Sequence, residues 1–108
     1  MPEQINSQKS IMEIPLRQDY NLVLERSDKK IRLVIFHKGI EIGCRKEKLT
    51  DLQKFIAADD GILFKGRLQL NKKGNEILVI FKNQTLGNIY YREFESVLKR
   101  IDLTENVF

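Results

Sequence analysis

The four residues Leu33-Val34-Ile35-Phe36 return 45 positions later as Leu78-Val79-Ile80-Phe81. Each copy is a short run of apolar, partly β-branched residues, which reads as a strand that is greasy on both faces, and such a strand is normally covered on both sides. The recurrence extends beyond the tetrapeptide. At the same spacing Leu49, Leu52, Lys54 and Ile56 answer Phe94, Val97, Lys99 and Ile101, and Gln53 stands opposite Leu98. Upstream, Leu22-x-Leu24 answers Leu68-x-Leu70, with the hairpin connection one residue longer in the first copy. Anchor, spacing and flanking pattern agree, as they do in an internal repeat. Half of 108 residues is too little to bury a core alone, so the two copies are expected to share one.

Taken in order, residues 1–19 are polar apart from Ile11 to Leu16, which reads as an edge strand ended by Pro15, and disorder is expected up to about residue 10. Tyr20, Leu22 and Leu24 alternate as a strand, Asp28-Lys29-Lys30 turns the chain, and residues 31–37 form the anchor strand. Lys38-Gly39 is a tight turn into a third strand with Ile40, Ile42 and Cys44 inward. Leu49, Leu52, Phe55 and Ile56 recur at helical spacing, predicting a helix over 47–58, with Gly61 as its left-handed cap and Asp59-Asp60 as a linker.

The second copy opens with Phe64, Gly66, Leu68 and Leu70 alternating with Lys65, Arg67 and Gln69, a single strand with a basic outward row. Residues 76–82 are the second anchor strand and Asn83-Gln84 turns the chain into residues 85–90, where Gly87 marks a bulge or a close neighbour. Phe94, Val97, Leu98 and Ile101 predict a helix over 91–101.

The expected fold is therefore α+β: a tandem βββα repeat forming one antiparallel six-stranded sheet with two helices packed on one face. Its divisions are a partly disordered segment 1–19, a single domain 20–101 made of repeats 20–58 and 62–101, and a flexible tail 102–108. Whichever face the helices cover, the opposite face receives Val34 and Phe36, or Leu78 and Ile80. Closure of the sheet on itself or a homodimer would cover them.

Charge is unevenly laid out. Residues 17–54 hold ten Lys/Arg against six Asp/Glu, and residues 62–101 hold eight against three, whereas the ends and the linker are acidic. A positive body favours an anionic partner such as nucleic acid. One cysteine, Cys44, excludes an internal disulfide framework, and no apolar run approaches the length of a membrane span. A soluble, cytoplasmic protein that does not insert in membranes is expected.

Catalytic chemistry has little to stand on. His37 and Cys44 are the only residues of their types, no metal-ligand spacing surrounds them, and the six glycines form no phosphate loop. Asp59-Asp60 is a carboxylate pair whose members point apart. His37 reads as a strand end and Cys44 as a small apolar packing residue. A hairpin could bring positions 37 and 44 together as a Cys–His pair, but no third group is present to orient it. The expectation is a protein without catalytic activity, cofactor or metal.

Nucleic-acid binding fits better, because lysine and arginine neutralise phosphates while flat rings stack on unpaired bases. The candidate cations are Arg26, Lys29, Lys30, Arg32, Lys38, Arg45 and Lys46 in the first copy, and Lys65, Arg67, Lys72, Lys73, Lys82 and Arg92 in the second. The candidate rings are Tyr90, Tyr91 and Phe36, the last with a core position as its plainer reading.

Residues 30–39, Lys-Ile-Arg-Leu-Val-Ile-Phe-His-Lys-Gly, followed by a strand and then by Lys48-Leu49-Thr50-Asp51-Leu52-Gln53-Lys54-Phe55-Ile56, resemble the strand, Phe-x-Lys-Gly turn and leucine-led helix of the Pur-alpha/Whirly and transcriptional-coactivator class of single-stranded DNA binders. That class pairs two repeats of strands and a helix about a pseudo-twofold axis. Its unit has four strands where three are counted here, and Lys38-Gly39 is answered by Asn83-Gln84. The resemblance implies single-strand binding across a basic sheet face by Arg32, Lys38 and Arg45. The functional expectation is a non-catalytic domain for single-stranded DNA or RNA, and the alternative is a protein-interaction or homodimerisation module built on the apolar anchors.

Overall fold

The computed structural model describes the backbone of residues 11–105 and the side chains of residues 11–101. The expected disorder of residues 1–10 and the last tail residues, 106–108, lie outside the described residues. The first half comprises β1 (Ile11–Pro15), β2 (Tyr20–Ser27), β3 (Lys30–His37), β4 (Ile40–Lys48) and α1 (Leu49–Ala57). The second comprises β5 (Asp60–Leu63), β6 (Leu68–Lys73), β7 (Glu76–Phe81), β8 (Gln84–Tyr90) and α2 (Tyr91–Glu105).

The class is α+β, as expected, but the expected six-stranded sheet is corrected. There are two four-stranded antiparallel sheets, ordered β1-β2-β3-β4 and β5-β6-β7-β8. The stretch ended by Pro15 joins the first sheet as its fourth strand, pairing Ile14 with Leu22. In the second half the alternation from Phe64 to Leu70 is not one strand. Phe64 takes a left-handed backbone (φ 69°) and residues 65–67 bend. The chain thus folds Asp60–Leu63 back on Leu70–Lys73, making a strand of what reads as a linker.

Gly61 lies within β5 and does not cap α1, whose last turn is closed by Ala58 N–H donating to the Lys54 carbonyl. The two acids after the helix serve a neighbour instead: Gly74 N–H donates to the Asp59 carbonyl (3.0 Å) and to Asp60 Oδ1 (3.3 Å). The last hairpin turns at Lys82-Asn83, one residue earlier than expected, and α2 continues past Ile101.

A β-bulge interrupts each sheet at the same place. The register slips between Ile35 and Phe36 against β4, and between Val79 and Ile80 against β8. A bulge bends and twists its strand, which turns each sheet toward the other half. The glycine beside each bulge lies against the other half. A Cβ on Gly43 would lie 2.5 Å from the Phe81 ring, and one on Gly87 would lie 3.2 Å from Leu16. A single backbone bond from Arg17 N–H to the Leu86 carbonyl (3.1 Å) joins the two at the second contact.

One core fills the space between them. From the first sheet it takes Ile14, Leu22, Leu24, Ile31, Leu33 and Ile35, and from the second Leu68, Leu70, Ile77, Val79, Phe81, Leu86 and Ile89. The helices add Leu52, Phe55 and Ile56 from α1, and Phe94, Val97, Leu98 and Ile101 from α2. The second set is the expected stripe in full, and the first lacks only Leu49, which packs half-buried at its margin.

The bulge also corrects the third strand of the first half. It places the extra residue Ile42 against the core, leaving Ile40 68 % exposed and Cys44 exposed opposite Val34, on the face away from the core. His37 stacks on Tyr20 at a centroid distance of 4.0 Å on the other face, so it and Cys44 form no pair.

Candidate nucleic-acid interface

Each sheet turns one face to the core and leaves the other open. On the first sheet the open face carries Ile11, Val23, Val34 and Phe36, and on the second it carries Ile62, Leu78, Ile80 and Tyr90. These faces are not the expected basic surface. Period-two alternation fixes which residues share a face, and the cations fall at the turns and along one edge.

Arg32 does stand on the open face of the first sheet, between two carboxylates. It donates to Glu25 Oε1 (2.5 Å) on β2 and to Glu41 Oε2 (2.7 Å) on β4. The hydrogen bond to Glu25, then that to Glu41, raises the guanidinium pKa above its ordinary value. A cation so neutralised offers little to a phosphate. A raised arginine pKa stabilises the fold at every pH below the ordinary value and adds no pH dependence near neutrality.

Lys72 is corrected too. It is 4 % exposed, and its ammonium donates to the carbonyls of Ala58 (2.6 Å) and Gly74 (2.8 Å). Ala58 is the cap of α1, so Lys72 ties down the negative end of that helix. Arg26 is half-buried on the core side of β2. Lys38 is exposed in the β3–β4 turn, where its own N–H donates to the Asp19 carbonyl. Lys73 is exposed at the end of β6 beside Asp60 and Glu76.

Of the rings, Tyr90 is 50 % exposed on the open face of the second sheet. Tyr91 begins α2, half-buried between Lys72 (5.2 Å to its ring centroid) and Arg92 (5.6 Å), and meets Tyr90 edge-on at 5.4 Å. Phe36 is half-buried on the open face of the first sheet, with Asn21 and Glu41 beside it.

The remaining cations gather along β4 and across the junction of the sheets. Arg45 lies with its guanidinium 4.7 Å from the Phe64 ring and close to Gly66, which brings β4 against the β5–β6 turn carrying Lys65 and Arg67. Lys82 N–H donates to the Arg67 carbonyl (2.8 Å), adding the β7–β8 turn. From the open face of β4 come Lys46 and Lys48, and Lys48 pairs in register with Lys30 beside Lys29. The result is a rim of eight exposed cations: Lys29, Lys30, Arg45, Lys46, Lys48, Lys65, Arg67 and Lys82.

None of the eight forms an ion pair with a described residue. Lys48 was missed by sequence reasoning because β4 runs into α1 without a break or a capping side chain, so it reads as helix. No group of three or more metal-binding side chains occurs among the described residues, and no helix is long and apolar enough to cross a membrane. No protein-family model, curated protein or solved structure matches the chain.

Proposed function

We propose that the chain binds single-stranded nucleic acid without acting on it, along the cationic rim of β4 and the β5–β6 and β7–β8 turns. One observation carries the reading: Arg32 is neutralised and Lys72 is buried, while the eight cations that the fold gathers along this rim have no carboxylate partner among the described residues. Unpaired lysines held in a row attract a polyanion and release its counterions. Phe36 and Tyr90 stand on the adjoining open faces, where unpaired bases could stack. Four strands and a helix, occurring twice, are also the unit implied by the resemblance to the single-strand-binding class, which supports the reading by analogy.

The test is anisotropy of a labelled single-stranded oligonucleotide at several salt concentrations, with duplex competitor. A strand touching about five of these cations gives a log–log salt slope near −3.5. Changing Lys46, Lys65, Arg67 and Lys82 together to glutamine should flatten most of that slope with the melting temperature held. Changing Lys54 and Lys99, which lie on the helices, should leave it unaltered. Equal losses from both sets would show that net charge alone is at work and sink the rim.

A second reading has its own support. Ile62 (61 % exposed), Leu78, Ile80 and Tyr90 form an apolar patch on the open face of the second sheet, which suits homodimerisation. Light scattering at two protein concentrations tests it, and a monomeric mass at both would remove it.

A further inference from the structure

Between the end of α1 and the first half of α2 is a cavity of about 360 Å³ that the rim does not use. Ile56, Leu98 and Tyr91 supply apolar lining, and Lys72 lines it as well. The ammonium of Lys72 is buried without a described carboxylate within ion-pair distance, held by two carbonyls. Its third N–H has no described acceptor, and the nearest ring, Tyr91, is centred 5.2 Å away. Burying a charge is costly unless it is paired, and carbonyl dipoles balance it only in part. A buried cation beside apolar walls is the arrangement that orients a small amphiphilic anion.

We infer that this cavity is a binding site for a small organic monocarboxylate with a flat apolar body. The carboxylate takes the remaining donor of Lys72, and the body lies among Ile56, Leu98 and Tyr91. Asp59 and Glu95 line the same cavity and balance Lys72 and Lys99, so the lining has no excess positive charge to hold a doubly charged group, which sets a singly charged carboxylate ahead of a phosphate monoester. The volume lies near the lower end of small-ligand sites, which suits a single ring. The inference is independent of nucleic-acid binding, because none of the rim cations lines the cavity.

The test titrates the full chain with phenylacetate, and separately with its uncharged analogue phenylacetamide, while backbone amide resonances are followed by NMR. Saturable shifts at Gln53, Asp59, Gly74, Tyr91 and Lys99 are expected with phenylacetate at millimolar concentrations, and binding roughly tenfold weaker with the amide. Lys72→Met should abolish the preference for the acid, but it also unties the end of α1. Ala57→Trp is therefore the companion variant. Ala57 is exposed on α1 and lines the cavity, so an indole there fills the space without uncapping the helix. Its melt should match the parent's while phenylacetate binding is lost. The assignment is overturned if folded Ala57→Trp protein binds as the parent does, if acid and amide bind alike, or if the shifts fall on Arg45, Lys65 and Lys82 instead.

Discussion

Leu33-Val34-Ile35-Phe36 and Leu78-Val79-Ile80-Phe81 are the same four letters used in opposite ways. In β3, Leu33 and Ile35 enter the core and Val34 and Phe36 face away, whereas in β7 Val79 and Phe81 enter the core and Leu78 and Ile80 face away. The cause is in the hairpins. Both connections are two-residue turns, flanked by the pairs Ser27–Lys30 and Lys73–Glu76. The anchor begins three residues after Lys30 but two after Glu76, so the odd residue falls in the strand and inverts its phase. A slip of one residue sends every side chain to the other face. The expectation that the longer connection would absorb the difference in the turn is thus corrected, and with it the pairing of the two anchors position by position.

The largest test of this inversion truncates equivalent letters. Leu33→Ala removes a fully buried side chain and should cost about 2–5 kcal/mol, while Leu78→Ala, half-buried on the open face, should cost about 1 kcal/mol or less. One position along, the order reverses: Val79→Ala should cost more than Val34→Ala, since Val34 is outside the core cluster although buried by its neighbours. Urea unfolding of the four variants reads both comparisons. Equal losses for Leu33 and Leu78 would mean that the two strands share a phase.

What the letters reveal here is local, and what they hide depends on a partner strand. The helical stripes of α1 and α2 and the alternation of β2 could be read because three or four residues of one element settle each. β5 could not. Asp60-Gly61 looks like a linker, and becomes a strand only because Phe64 to Arg67 turn it back onto β6.

Gly87 marked the bulge and the close neighbour of the second sheet, but the bulge of the first sheet was hidden, since an extra residue is defined only against the strand it fails to match, and it decides that Cys44 faces out and Gly43 in. The cations were visible one by one, but their grouping was not. Glu25 and Glu41 reach Arg32 from neighbouring strands, and Lys72 turns inward because its partner in register is Ile77 of the core.

The two bulge glycines refine the comparison at an intermediate scale. Both halves meet at a glycine, but the contacts are unequal: a Cβ at Gly43 overlaps the Phe81 ring at 2.5 and 2.8 Å, and one at Gly87 meets flexible Leu16 at 3.2 and 3.3 Å. Gly43→Ala should therefore cost about 1–3 kcal/mol and Gly87→Ala less than about 1 kcal/mol. Replacing Phe81 by leucine in the Gly43→Ala protein should recover part of the loss, even though the leucine is itself destabilising in the parent. Additive losses in that double variant would mean that the two residues do not touch.

The smallest expected effect is at the hairpin that follows each anchor. The first turn is Lys38-Gly39 (φ 53° and 82°) and the second Lys82-Asn83 (φ 52° and 65°), so each places two consecutive residues in the left-handed region. Such turns match the right-handed twist of the strands they join, and glycine adopts them without the Cβ penalty. Asparagine tolerates the same conformation at a modest cost. Asn83→Gly should thus stabilise by up to about 0.5 kcal/mol, and Gly39→Asn should destabilise by a similar amount. Exchanging the two residues in one protein should nearly cancel, because each turn would then carry the other's residue in an equivalent backbone. A net loss in the exchanged protein would show that Gly39 is needed for something other than its turn, such as the apolar hollow it shares with Ile11, Val23 and Phe36 on the open face of the first sheet.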